Sequence, residues 1–146
     1  MDSPRRRPPY TLWGMRRVVL LLAALLGVTA LLSGCSSSSG AVTTVDPAEF
    51  VTSMSESGTV VVDVRTPAEY AAGHVDGAVN IDVESGTFGS EIAALPKDTT
   101  YAVYCRSGRR SAIAADEMSK AGFTSIVNLK GGIADLQSAG APIAAG

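Results

Sequence analysis

Two β-rich runs, each followed at once by a helix start, constrain what this chain can fold into. The first is TVVVDV, Thr59 to Val64, a β-branched run of the kind that forms a strand buried on both faces. Thr66-Pro67-Ala68-Glu69 follows it: a capping hydroxyl, a proline suited to the first helical position, and a glutamate that can reach back to the cap. The second is YAVY, Tyr101 to Tyr104, another short apolar run. It leads through Cys105 and RSGRR into an alanine-rich segment that begins at Ser111. Strands that give way to helices in this manner cannot pair as hairpins. They call for crossovers, and hence for a mainly parallel sheet with helices on both faces.

The rest of the chain keeps the same alternation. Folded sequence is expected from about Val42, and Asp46-Pro47-Ala48-Glu49 is a second helix start, with Phe50, Val51 and Met54 as its apolar stripe. Gly73 closes the helix that starts at Thr66, and AVNI (Ala78 to Ile81) reads as a strand. Phe88, Ile92 and Leu95 share a helical face that Pro96 stops. Ser111 to Ala121 forms a helix closed by Gly122, with Ile113, Ala114 and Met118 on its apolar side. Phe123 to Leu129 holds the last strand, and Gly131-Gly132 opens a final short helix that ends at Gly140. The expected fold is α/β in three layers, with a central five-stranded sheet. Sites in such sheets lie at the carboxyl ends of the strands, where Arg65 and Cys105 both fall.

The N-terminus has a different character. Met15-Arg16-Arg17 precedes an uncharged, mostly apolar run of fifteen residues, Val18 to Leu32, whereas a membrane span needs about 20. Positive charge, a short apolar core and then small residues is the layout of a secretory signal. Residues 1–14 are either a long n-region or lie ahead of a start at Met15. The core ends in LSGC, Leu32 to Cys35, a string that resembles the lipobox of bacterial lipoproteins. That resemblance implies cleavage before Cys35, lipid on Cys35, and an exported domain anchored to the cell membrane. An uncleaved anchor helix, or a signal cut elsewhere, is the alternative. On the lipoprotein reading residues 1–34 are the signal, 35–41 the lipidated cysteine with a Ser-rich tether, and 42–146 the folded domain.

Loss of the leader changes the charge. The full chain has 12 Lys and Arg against 14 Asp and Glu; the leader takes five arginines and one aspartate, which leaves 7 basic and 13 acidic residues. A net charge of −6 argues against a nucleic-acid surface, which needs clustered cations. Arg106, Arg109 and Arg110 thus form a positive island on an acidic domain, better suited to a small anion than to a polymer.

Cys105 stands between the end of a strand and the head of a helix. Free N–H groups and the helix dipole favour its thiolate there, and the arginines add to the effect. Successive N–H groups along Arg106, Ser107, Gly108, Arg109, Arg110 and Ser111 could wrap the sulfur as an anion cradle, with Gly108 permitting the tight turn. If Cys35 carries lipid, Cys105 is the one thiol left and forms no internal disulfide. The competing readings are a buried inert cysteine or an intermolecular bridge. No metal-ligand constellation is present: there is one histidine, His74, and no cysteine pair. His74 follows a helix-ending glycine and reads as fixing that turn, with catalytic base work as the alternative. Asp63, within its buried run, needs donors or a cation.

Three segments, DVRTPAEYAAGHVDGAVNID (63–82), CRSGRRS (105–111) and NLKGGIADL (128–136), resemble the rhodanese family in order and separation. The resemblance implies an α/β sulfurtransferase in which Cys105 takes sulfane sulfur from an anionic donor such as thiosulfate. It then passes that sulfur to cyanide or a thiol through a covalent persulfide, without any other cofactor. It implies N–H stabilisation of the persulfide by the loop from Arg106 to Ser111. Arg106 and Arg110 become candidates for drawing in the donor, with Arg109 either sharing that role or simply solvated. Arg65 and Asp63 are expected to pair as a brace for the active loop, and Glu69 and His74 to be structural. A non-catalytic sulfur carrier that delivers persulfide to a partner protein is the second reading. Cysteine phosphatases and arsenate reductases are a weaker third, since they place histidine before the cysteine and arginine six positions after it; here Tyr104 precedes Cys105 and the sixth position is Ser111. The family often has tryptophan where this chain has Leu136, a change expected to alter packing near the site.

Overall fold

The computed structural model describes residues 40–146. The expected secretory signal, the lipobox-like string with Cys35, and the expected tether up to residue 39 lie outside the described residues. Among those described, no helix is long and apolar enough to cross a membrane.

The chain alternates as β1 (Val42–Val45), α1 (Pro47–Met54), β2 (Thr59–Asp63), α2 (Pro67–Ala72), β3 (His74–Val75), β4 (Val79–Asn80), α3 (Phe88–Ala93), β5 (Thr100–Tyr104), α4 (Arg109–Lys120), β6 (Ser125–Leu129), α5 (Ile133–Ser138) and β7 (Ile143–Ala144). β1, β6, β5, β2 and β4 lie side by side in that order, and every pair is parallel. The expected α/β fold with a five-stranded parallel sheet is therefore the observed one. β3 and β7 add a small antiparallel ribbon that pairs His74 with Ala144 and Val75 with Ile143.

Both helix starts behave as their residues dictate. Asp46 Oδ1 accepts from the Glu49 N–H at 3.0 Å. Thr66 and Glu69 close a full capping box, with Pro67 at the first helical position. α4 begins at Arg109, two residues ahead of Ser111, because Gly108 takes a left-handed conformation (φ 94°) and turns the chain into the helix early.

The sheet divides the core in two. On one face Val62, Val64, Tyr101 and Val103 pack against Phe88 and Ile92 of α3 and Ala114, Ala115 and Met118 of α4. On the other, Val61, Ala102 and Tyr104 meet Phe50 of α1 and Leu136 of α5. Each Val, Leu, Ile, Phe or Met among them, when fully buried, contributes about 1.5–3 kcal/mol relative to exposure. β2 and β5 are neighbouring inner strands of the sheet, and their carboxyl ends sit beside one another, Asp63 opposite Tyr104.

Candidate active site

Parallel pairing of β2 with β5 fixes where the chemistry can sit. Tyr104 ends β5, Cys105 follows it, and α4 starts four residues later. Cys105 Sγ accepts a hydrogen bond from the Gly108 N–H at 3.0 Å. Its own S–H faces the Ser111 hydroxyl at 3.6 Å, and that hydroxyl donates to the Gly108 carbonyl at 3.1 Å. Ionisation of the thiol frees the hydroxyl to turn its hydrogen to the sulfur. Cys105 is only 1% exposed. Burial pushes its pKa up, but the N–H groups of Ser111, Ser107 and Gly108 and the Ser111 hydroxyl outweigh that, and the thiol lies below its ordinary value. Of the donors expected to wrap the sulfur, the Gly108 N–H makes the direct hydrogen bond, and the Ser107 and Ser111 N–H groups favour the anion beside it.

One further glycine, Gly132, lets the loop close, a role beyond the helix opening that the sequence alone assigns to Gly131-Gly132. A Cβ on Gly132 would overlap the Arg106 carbonyl, and one on Gly108 would come within 3.2 Å of the Gly131 carbonyl oxygen. The backbone at 131–132 thus passes directly against the loop. Ile133 N–H donates to the Cys105 carbonyl at 3.0 Å, and Asp135 caps Gly132 N–H at 2.8 Å. A glycine pair before a short apolar helix is the signal for such a close approach.

Asp63 and Arg65 are brought together as expected. Arg65 Nη2 donates to Asp63 Oδ2 at 2.6 Å and Nε donates to both carboxylate oxygens. The Tyr104 hydroxyl donates to the same Oδ2 at 2.6 Å and accepts from the Val75 N–H at 3.0 Å. Arg65 also donates to the Gly73 carbonyl at 2.7 Å. This network grips Tyr104 and the β3 turn rather than residues 106–111 themselves. Burial, together with the hydrogen bond to Asp63, raises the Tyr104 pKa well above its ordinary value and keeps the hydroxyl a donor.

The arginines of the loop part company. Arg106 is exposed and makes no ion pair among the described residues. Arg109 is 75% exposed and only 3.7 Å from Glu84. Arg110, expected to face the donor, instead donates from Nη1 and Nη2 to the two oxygens of Glu69 at 2.7 and 2.8 Å, with Glu84 at 3.2 Å. The guanidinium holds the Glu69 carboxyl down at about 2. His74 stacks on Tyr70 and its Nδ1 lies 3.0 Å from the Tyr70 carbonyl, so it fixes the turn. Leu136, in the place of the family's tryptophan, is fully buried. A cleft of about 360 Å³ opens between α2 and α5, lined by Arg65, Glu69, Gly73, Ile133, Ala134 and Gln137.

The family model described as the rhodanese-like domain matches residues 46–139. The chain belongs to the rhodanese-like domain family. A probable adenylyltransferase/sulfurtransferase, MoeZ, of Mycobacterium tuberculosis is 44% identical over 72 residues, 49% of this chain but only 18% of that protein. The rhodanese-like chain is thus similar to a small part of that longer relative. A sulfurtransferase of Allochromatium vinosum is 36% identical over 86 residues, covering 59% of this chain and 78% of that one. The thiosulfate sulfurtransferase PspE of Escherichia coli is 37% identical over 75 residues, covering 51% and 71%. Among solved structures, a rhodanese-related protein from Thermoplasma volcanium matches with a TM-score of 0.61 at 30% identity, over 69% of this chain and 96% of that one. A rhodanese from E. coli, solved with anions, matches with a TM-score of 0.51 at 34% identity, over 60% and 99%.

Proposed function

We propose that this rhodanese-like protein is a thiosulfate:acceptor sulfurtransferase that works through a persulfide on Cys105. The observation that carries the reading is the Gly108 N–H aimed at Sγ from 3.0 Å at the head of α4, in a loop whose donors lower the thiol pKa. The relatives named as sulfurtransferases support the same chemistry.

In the first half-reaction the Cys105 thiolate attacks the sulfane sulfur of thiosulfate. The S–S bond of the donor breaks, sulfite leaves with the electron pair, and Cys105 holds a persulfide anion. In the second, cyanide or a thiolate attacks the outer sulfur, thiocyanate or a new persulfide leaves, and the Cys105 thiolate returns. No external oxidant is consumed. The Gly108 N–H and the Ser111 hydroxyl serve the negative sulfur in both resting states, as preorganised donors do in an anion hole. Arg106, exposed and unpaired among the described residues, is the cation that meets the donor. A sulfur as enclosed as that of Cys105 favours small donors and acceptors over a docked protein, which sets turnover with small molecules ahead of a carrier role.

Cyanide-dependent formation of thiocyanate from thiosulfate tests the proposal. Wild-type protein is expected to turn over, and Cys105→Ser to fall to the uncatalysed rate. Turnover in Cys105→Ser equal to wild type would sink it.

A further inference from the structure

The loop that carries Cys105 is fastened at both ends to one short stretch of chain. At its start the Tyr104 hydroxyl donates to Asp63. At its end Arg110 donates to both oxygens of Glu69. Asp63 and Glu69 are six residues apart, on either side of the β2–α2 junction. That junction is itself stiff: Asp63 accepts from the Arg65 N–H at 2.9 Å, and Glu69 Oε2 accepts from the Thr66 N–H at 3.2 Å and from its hydroxyl at 3.1 Å. Glu69 is therefore held on one side by the α2 cap and on the other by the active loop.

This has a consequence for charge. A guanidinium in a two-pronged grip on a carboxylate, with its side chain 13% exposed, presents little net charge to its surroundings. Arg110, in the first turn of α4, is nevertheless close enough for the Cys105 sulfur to add to the raising of its pKa, of which Glu69 is the chief cause.

We infer that Glu69 is a positioning residue for the Cys105 loop that also sets the loop's charge: it holds Arg110 in place and withholds that guanidinium from the incoming anion. The inference rests on the reading of Cys105 as the reacting thiol and deepens it. The loop attracts a small anion through Arg106 at the surface, while the sulfur itself is stabilised by N–H and O–H groups. Arg110, for all its proximity, is a fastener.

The test is the alkylation of Cys105 in the full chain by iodoacetate, an anion, and by iodoacetamide, which is neutral. Peptide mass spectrometry reads Cys105 apart from Cys35. The ratio of the two rates reports the charge available at the sulfur and does not depend on sulfur transfer. An absence of turnover alongside the expected ratios would remove the proposed function and leave this inference standing, and the converse pattern would do the reverse. Glu69→Gln is expected to raise the ratio about fivefold, the scale of one unit of negative charge removed near the sulfur, with Glu84 left as the remaining partner of Arg110. Glu69→Gln/Arg110→Gln is expected to restore the wild-type ratio, since it removes a pair with no net charge. A folded Glu69→Gln whose ratio equals wild type overturns the inference. So does a double variant whose ratio drops well below wild type, because Arg110 would then have been acting on the anion. Should Glu69→Gln alone not fold, the double variant decides by the same criterion.

Discussion

Asp63–Arg65 and Glu69–Arg110 are both carboxylate–guanidinium pairs, and their carboxylates come from one short stretch of chain, yet only the first is sealed. Its side chains are 0% and 6% exposed, while those of Glu69 and Arg110 are 27% and 13% exposed. In the sealed pair Asp63 takes Arg65 and Tyr104, and Arg65 also reaches the Gly73 carbonyl. The desolvation of both charges is then offset only while the whole network stands. The outer pair keeps contact with solvent and shares Arg110 with Glu84, itself half-exposed. The inner pair accordingly fixes the strand ends from which the loop departs, and the outer pair tunes the loop without being needed for the fold.

The largest expected effect separates the two pairs by stability. Asp63→Asn leaves the Arg65 cation buried without its counter-charge and should cost about 3–5 kcal/mol in urea unfolding. A loss no greater than that of Glu69→Gln would erase the distinction. The smaller effect is in the acid limb. Glu69→Gln should cost about 1 kcal/mol at neutral pH, a figure discounted for solvent screening of a partly exposed pair. Glu69 lies at about 2 in the folded protein against the ordinary carboxylate value of 4.5. Its contribution is fully present above pH 4.5, declines as the pH falls toward 2, and is gone below that. Stability curves of wild type and Glu69→Gln should therefore converge near pH 2. Curves that stay apart there would show that Glu69 acts through packing rather than charge.

What the sequence disclosed follows from which interactions are local. The β2 and β5 runs announce themselves because both faces of each strand are buried and the residues are β-branched or aromatic. The caps at Asp46 and Thr66 are legible because donor and acceptor lie three residues apart. Cys105 is legible because a lone thiol between an apolar run and a helix start has few bland explanations. The β3–β7 ribbon is not, since its pairing joins His74 and Val75 to residues at the far end of the folded chain, Ala144 and Ile143. Nor is the partner of Arg110. Glu69 is 41 residues away in sequence, and nothing in CRSGRRS says which of its arginines will turn inward to a carboxylate. The part played by Gly131-Gly132 under the loop likewise depends on a contact with Arg106 that only the folded chain supplies. Local chemistry thus singled out Cys105 as the candidate thiol, while the separate surroundings of Arg106, Arg109 and Arg110 came from tertiary contacts.

Cys105 is proposed to carry sulfur, and the mass of its peptide shows whether it does. Full-length protein is exposed to thiosulfate, digested without reductant, and the peptide containing Cys105 is weighed. The account predicts a gain of about 32 Da on Cys105, one sulfur atom, lost again on addition of cyanide. A peptide that stays at its unmodified mass under thiosulfate, or a gain that cyanide does not discharge, would contradict it.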